Sequence, residues 1–262
     1  MDLIVQAESG MMSVTGEPGS RGLRCGVSIA DLTAGMNAGF AILTALHARE
    51  RTRQGQFIDV SMLEGQLALF DPTLGIYLAD RVVPRPMGTA YKVLVPYQTF
   101  RTKTQDLALA VGSDSLWRTF CPLLGIEELR DDPRYATNAA RVENRDSLIA
   151  RLQDVFLTRT YEEWEAILLP VGIPIGAINT LDRVVEHPQV EARGVLAECD
   201  HPIAGKIQMV SPYFRLSETP GGVRAPAPLL GQHTDEVLRE TLGLSEKQIK
   251  RLRSAGAIGR RR

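Results

Sequence analysis

Ser28-Ile29-Ala30-Asp31 runs straight into LTAGMNAGFAILTALHARER (residues 32–51), a stretch rich in Ala, Leu and Met at helical spacing. It predicts one long helix. Gly35 and Gly39 stand four apart among Ala34, Ala38, Ala41, Ala45 and Ala48. Small residues at that spacing let a neighbour approach closely, at a propensity cost for each glycine, so the helix is expected to lie against a sheet or a second helix. Upstream, residues 10–26 carry Gly10, Gly16, Pro18, Gly19, Gly22 and Gly26, a density that favours tight turns and predicts a loop without regular structure. Downstream, Gln54-Gly55-Gln56 places a glycine where a left-handed cap would stop the helix. Phe57–Ser61 then alternates as a strand does, and a second helix is expected from about Met62 to Ala79.

Pro84, Pro86 and Gly88 interrupt the chain and mark the best internal boundary. Strands are predicted within Val93–Phe100 and Asp106–Gly112, then helices from Ser115 to Leu169, where Thr160-Tyr161-Glu162-Glu163 matches a T-x-x-E capping box. Thr180–Val185 reads as a short helix, and Val195–Leu216 as two strands around Pro202-Ile203-Ala204-Gly205. Ser245-Glu246-Lys247-Gln248 opens a last helix ahead of the basic tail Arg260–Arg262. The expected division is residues 1–84, 85–194 and 195–262.

Composition bounds the function classes. The 262 residues are 44% apolar and 23% charged, which excludes disordered, collagenous and coiled-coil chains. Thirty basic against 31 acidic residues leave a formal charge of -1 and no global field for nucleic acid or an anionic membrane. The apolar run around Gly35–Leu46 falls short of the ~20 residues a bilayer needs, so no membrane span is expected. Cys25, Cys121 and Cys199 lack the paired spacing of zinc or dithiol sites and predict buried thiols in a reducing, cytoplasmic compartment.

Candidate chemistry is sparse. Asp31, between a glycine-rich loop and a long helix, reads either as a cap for free backbone N–H groups or as a carboxylate nucleophile at a positive helix end. His47, His187, His201 and His233 are scattered without metal-ligand spacing, so no metal is expected. His233-Thr234-Asp235-Glu236 reads as a helix start or as an acid/base cluster. No G-x-S-x-G, G-x-G-x-x-G or P-loop pattern occurs. Trp117 and Trp164 fall on helical faces and predict core.

Several segments carry a resemblance in order along the chain: Asp2–Gly10, Ser13–Pro18, Gly26–Gly35, Arg49–Gln56, Asp59–Leu63, Asp132–Asn138, Gly172-Ile173-Pro174, His187–Val190 and Leu229–Asp235. Together they resemble the family III CoA-transferases, the CaiB/BaiF family. That likeness implies an α/β fold: part of a Rossmann-like large domain plus a smaller α+β domain, in an interlocked homodimer. It places Asp31 where the family has its nucleophilic aspartate, Met62 where it lines the CoA site, and Gly88-Thr89-Ala90 on the loop that covers acyl intermediates. Some members carry several consecutive glycines in that loop, and this chain has Gly88 alone.

The implied reaction moves CoA from an acyl-CoA to a small carboxylic acid through an aspartyl anhydride and an aspartyl-CoA thioester, with CoA as substrate and no other cofactor. Family chains usually begin with a long N-terminal part that supplies CoA contacts, and this chain is expected to lack it. Two alternatives stay open. One is an α-methylacyl-CoA racemase, in which a histidine would stand at the position of Met1; the other is a non-catalytic subunit.

Overall fold

A computed structural model of the chain describes residues 1–70 and 72–259. They form two compact units, Met1–Ile178 and Asn179–Arg262. The first begins with α1 (Asp2–Glu8), α2 (Met11–Val14), α3 (Ile29–Thr52), α4 (Met62–Ala68) and α5 (Thr73–Asp80). It continues with β1 (Tyr97–Phe100), β2 (Leu107–Ala110), α6 (Asp114–Leu124), α7 (Asn138–Glu143), α8 (Arg145–Phe156), α9 (Tyr161–Leu168) and β3 (Ile175–Ala177).

The long helix forms as its composition predicts, and it packs against α1 and α4. Gly65 of α4 sits at the crossing, where a Cβ would lie 3.2 Å from Asn37 Nδ2 and 3.3 Å from Thr33 Cγ2. The stop comes earlier than Gly55. Arg53 takes the left-handed conformation (φ 60°) and donates its N–H to Arg49 O at 2.8 Å. The Thr52 hydroxyl closes that turn, donating to Ala48 O and accepting from the Gln54 N–H, which makes an uncommon non-glycine φ tolerable. By length and composition α3 does reach what a bilayer crossing needs, with 24 residues and an 18-residue window of mean hydropathy 1.4, so the length argument from the apolar run alone does not hold.

Three other expectations change. Residues 10–26 are not wholly irregular, because Met11–Val14 forms a helical turn held by the loop behind it. Gly22 is required there, since a Cβ would stand 2.1 Å from Met12 O. Residues 57–61 form no strand among the described residues, and Phe57 is 93% exposed. The helix expected over 62–79 is two helices, because Pro72 has no N–H to continue the ladder and instead sits at the start of α5.

The core lies in residues 95–173. Strands β1, β2 and β3 form an antiparallel sheet, with Tyr97 opposite Ala110 and Leu107 opposite Ala177. Along β2 the buried Leu107 and Leu109 alternate with residues turned outward, so one face of the sheet meets α6, α8 and α9. Phe100, Trp117, Phe120, Phe156 and Trp164 fill the space between, as the helical spacing of the tryptophans predicts. The Trp164 indole N–H donates to Phe156 O at 3.0 Å. Thr160 and Glu163 make the predicted capping box of α9. Arg141 is buried whole, donating to the Val95 and Tyr135 carbonyls and to Asp114.

The second unit contains α10 (Leu181–Val185), α11 (Pro188–Ala192), the hairpin β4 (Leu196–His201) and β5 (Gly205–Val210), α12 (Thr234–Glu240) and α13 (Glu246–Ser254). The hairpin turns where Pro202–Gly205 predicted it, with His201 Nδ1 accepting from the Ile203 and Ala204 N–H groups. His233 precedes α12, whose first turn carries Asp235 and Glu236 as a helix start prefers. Ser245 and Gln248 form the predicted capping box of α13. The basic tail Arg260–Arg262 lies outside the described residues. Only Cys121 of the three cysteines is buried, and burial pushes its thiol up to about 12; Cys25 and Cys199 are part-exposed, against the expectation for all three.

Candidate functional site

Ser28 is the N-cap of α3, and Asp31 is its third residue, in the first turn. Asp31 is therefore not the cap. Its side chain is exposed, and among the described residues no side-chain hydrogen bond or ion pair engages it. A carboxylate there faces the positive end of the helix without being consumed by it. Such a group is free to form a covalent bond.

The capping work is done from elsewhere in the chain. Asp2 Oδ1 accepts from the Ala30 N–H at 3.0 Å, and its Oδ2 accepts from Gln6 Nε2 at 2.8 Å. Gln6 Oε1 accepts from the Cys25 N–H at 2.9 Å, and Arg24 Nη2 lies 3.5 Å from Asp2 Oδ2. Burial opposes ionisation of Asp2, but the hydrogen bonds from Ala30 and Gln6 and the Arg24 charge outweigh it and hold the carboxyl below its usual range. Neither residue stood out in the sequence except as part of the resemblance. The available signal was their i, i+4 spacing, which puts two polar groups on one face of α1.

Met62 opens α4, half-buried, with Ser61 as its N-cap accepting from the Glu64 N–H. The α4 helix meets α3 near the Asp31 turn: Gln66 is buried and its Nε2 lies 3.4 Å from Ile29 O. Gly88, Thr89 and Ala90 lie in a turn after α5. Gly88 has φ +62°, and a Cβ on it would stand 3.0 Å from Glu17 Oε2; its N–H donates to Gly16 O at 2.8 Å. The Thr89 hydroxyl meets that of Thr99 at 2.8 Å. This turn borders a cavity of about 670 Å³, lined also by Glu17, Met87 and Arg145. Asp31 and Met62 do not line that cavity. The carbonyls of Tyr91 and Lys92, next along the chain, accept from Arg145 Nη2 at 2.8 and 2.9 Å.

The sequence profile described as CoA-transferase family III matches residues 1–234. A succinyl-CoA:glutarate CoA-transferase of Homo sapiens is 35% identical over 257 residues, covering 98% of this chain and 59% of that protein. A succinate–glutarate CoA-transferase of Agrobacterium fabrum is 35% identical over 243 residues, covering 91% of this chain and 60% of its own length. The crystal structure of a CaiB/BaiF family protein from Brucella suis superposes with a TM-score of 0.76 at 33% identity, over 91% of this chain and 62% of that one. The chain thus spans about three fifths of the length of the relatives it matches. The mixed α/β fold and these likenesses extend along most of the described residues, and the chain belongs to CoA-transferase family III.

Proposed function

We propose that this chain carries the nucleophile of a CoA transfer between an acyl-CoA and a small carboxylic acid, and that Asp31 is that nucleophile. The observation that supports it most is the Asp31 carboxylate itself, exposed and uncommitted in the first turn of α3. In the proposed sequence an Asp31 oxygen attacks the thioester carbonyl, the C–S bond breaks, and CoA leaves as thiolate from a mixed anhydride. The thiolate then attacks the Asp31 carbonyl of that anhydride, releasing the donor acid and leaving an aspartyl-CoA thioester. The acceptor carboxylate attacks this thioester in turn, and the thiolate returns to the acceptor carbonyl, regenerating Asp31. No net oxidation occurs, and CoA enters and leaves as substrate.

Splitting one transfer into covalent steps at a held carboxylate lowers each barrier. Met62 is proposed to line the CoA site, and Gly88-Thr89-Ala90 to cover the acyl group. The names of the relatives at 35% identity support short dicarboxylic acids as donor and acceptor. The open apolar face of α3, with Met36, Phe40 and Leu43 exposed, supports pairing with a second copy of the chain.

Incubation with succinyl-CoA followed by intact and peptide mass spectrometry tests the reading. A hydroxylamine-labile CoA adduct is expected on Asp31 and absent from Asp31→Ala. An unmodified wild-type chain, or an adduct that persists in Asp31→Ala, overturns it.

A further inference from the structure

We infer that Asp2 and Gln6 are positioning residues for Asp31, fixing the turn at residues 25–30 so that the first turn of α3 is held in one conformation. The inference rests on the reading of Asp31 as nucleophile. A helix start leaves its first N–H groups without partners inside the helix, and the N-cap side chain ordinarily takes one of them. Ser28 does not, since its side chain makes no cap bond and lies instead 3.5 Å from Arg24 Nη2. The Ala30 N–H goes to a carboxylate 28 residues away, on α1. The residue immediately before Asp31 is thereby anchored to another helix.

Gln6 extends the anchor backward along the loop. Its Oε1 takes the Cys25 N–H, while its Nε2 donates to Asp2 Oδ2 at 2.8 Å and approaches Val27 O at 3.4 Å. Two side chains one helical turn apart thus hold Cys25, Val27 and Ala30. Gln6 is completely buried and Asp2 is 9% exposed, so water offers little replacement for these bonds. The loop they restrain contains Gly16, Gly19, Gly22 and Gly26, whose backbone freedom would otherwise let the turn drift. Among the described residues, no side-chain hydrogen bond or ion pair orients Asp31. Its direction is set by the turn beneath it.

The test follows the rate at which succinyl-CoA modifies Asp31, beside the affinity for an unreactive thioether analogue and the thermal midpoint of each variant. Loss of near-attack geometry costs up to ~100-fold in rate. Asp2→Ala and Gln6→Leu are expected to slow adduct formation by ~10–100-fold with analogue affinity within ~3-fold of wild type. Asp2→Asn keeps an oxygen for the Ala30 N–H and is expected to recover part of the rate; it decides the matter should Gln6→Leu fail to fold by circular dichroism. Wild-type modification with variants that melt lower yet react at the wild-type rate overturns the clamp alone, leaving the nucleophile in place. Absence of any wild-type adduct overturns the nucleophile reading, and the clamp falls with it.

Discussion

Residues 95–177 and residues 1–84 are built by different physics within one unit. The first region buries nineteen side chains in a single apolar cluster around five aromatic rings, Phe100, Trp117, Phe120, Phe156 and Trp164. The second buries chiefly polar groups, Asp2, Gln6, Ser9, Thr33 and Gln66, with Ala30 beside them. Its large apolar side chains face outward along α3, Phe40 at 69% exposure among them. A core of the first kind is non-directional and tolerates small shifts, because apolar burial scales with area. An arrangement of the second kind fixes atoms at named distances and fails when one partner is lost. The carboxylate proposed as nucleophile, Asp31, stands on the directional region, and the apolar region holds the fold.

The comparison breaks most visibly at Trp164. Its ring meets Phe156 edge-on at 5.2 Å and its indole N–H is bonded, so Trp164→Ala removes both packing and a buried hydrogen bond. A loss of about 3–5 kcal/mol is expected from urea unfolding, with the m-value unchanged. A loss below ~1 kcal/mol would mean that the cluster does not hold this unit together. A smaller effect is expected at Thr160, whose hydroxyl accepts from the Glu163 N–H while the Glu163 carboxylate accepts from the Thr160 N–H. Thr160→Ala is expected to cost ~1 kcal/mol by the same measurement, since only a surface cap is lost. Equal losses at the two positions would erase the distinction between packing and capping in this region.

Local signals carried much of the fold. The small-residue helix from Ile29 to Thr52, the capping boxes at Thr160 and Ser245 and the hairpin around Pro202–Gly205 each announce themselves within a few residues. What sequence reading missed depends on distant or competing partners. Gly55 was the natural helix stop, but Thr52 closes the turn first through two hydrogen bonds and puts Arg53 in the left-handed position. Phe57–Ser61 alternates as a strand does, yet alternation describes a half-buried ribbon and cannot supply a neighbour to pair with. The site divides in the same way. At Asp31 the position alone reads as a cap or as a nucleophile, and it is the family resemblance that implies the second, whereas the Asp2–Ala30 bond joins a side chain to a backbone amide and leaves no residue-type signature at position 30.

The smallest expected effect separates the two regions by acid. The Asp2 carboxyl is held below its ordinary 3.8: burial works against the charge, and the Ala30 N–H, Gln6 and Arg24 outweigh it. A depressed carboxyl contributes stability that is fully present above the unfolded value and is lost as pH falls through the folded one. Between neutral pH and about pH 5 the clamp should therefore be constant, and it should weaken only below ~4, as protons compete for the oxygen that faces Ala30. Burial pushes Cys121 and Tyr161 of the apolar cluster up to about 12, so both stay neutral throughout that range. Amide exchange expressed as protection factors, so that the intrinsic pH dependence of exchange cancels, should show Ala30 and Cys25 losing protection below ~pH 4 before Leu109 and Phe156 do. Simultaneous loss at all four would mean that the polar clamp and the apolar core open as one cooperative body, and Asp31 would then be aimed by the whole unit and not by the two side chains beneath it.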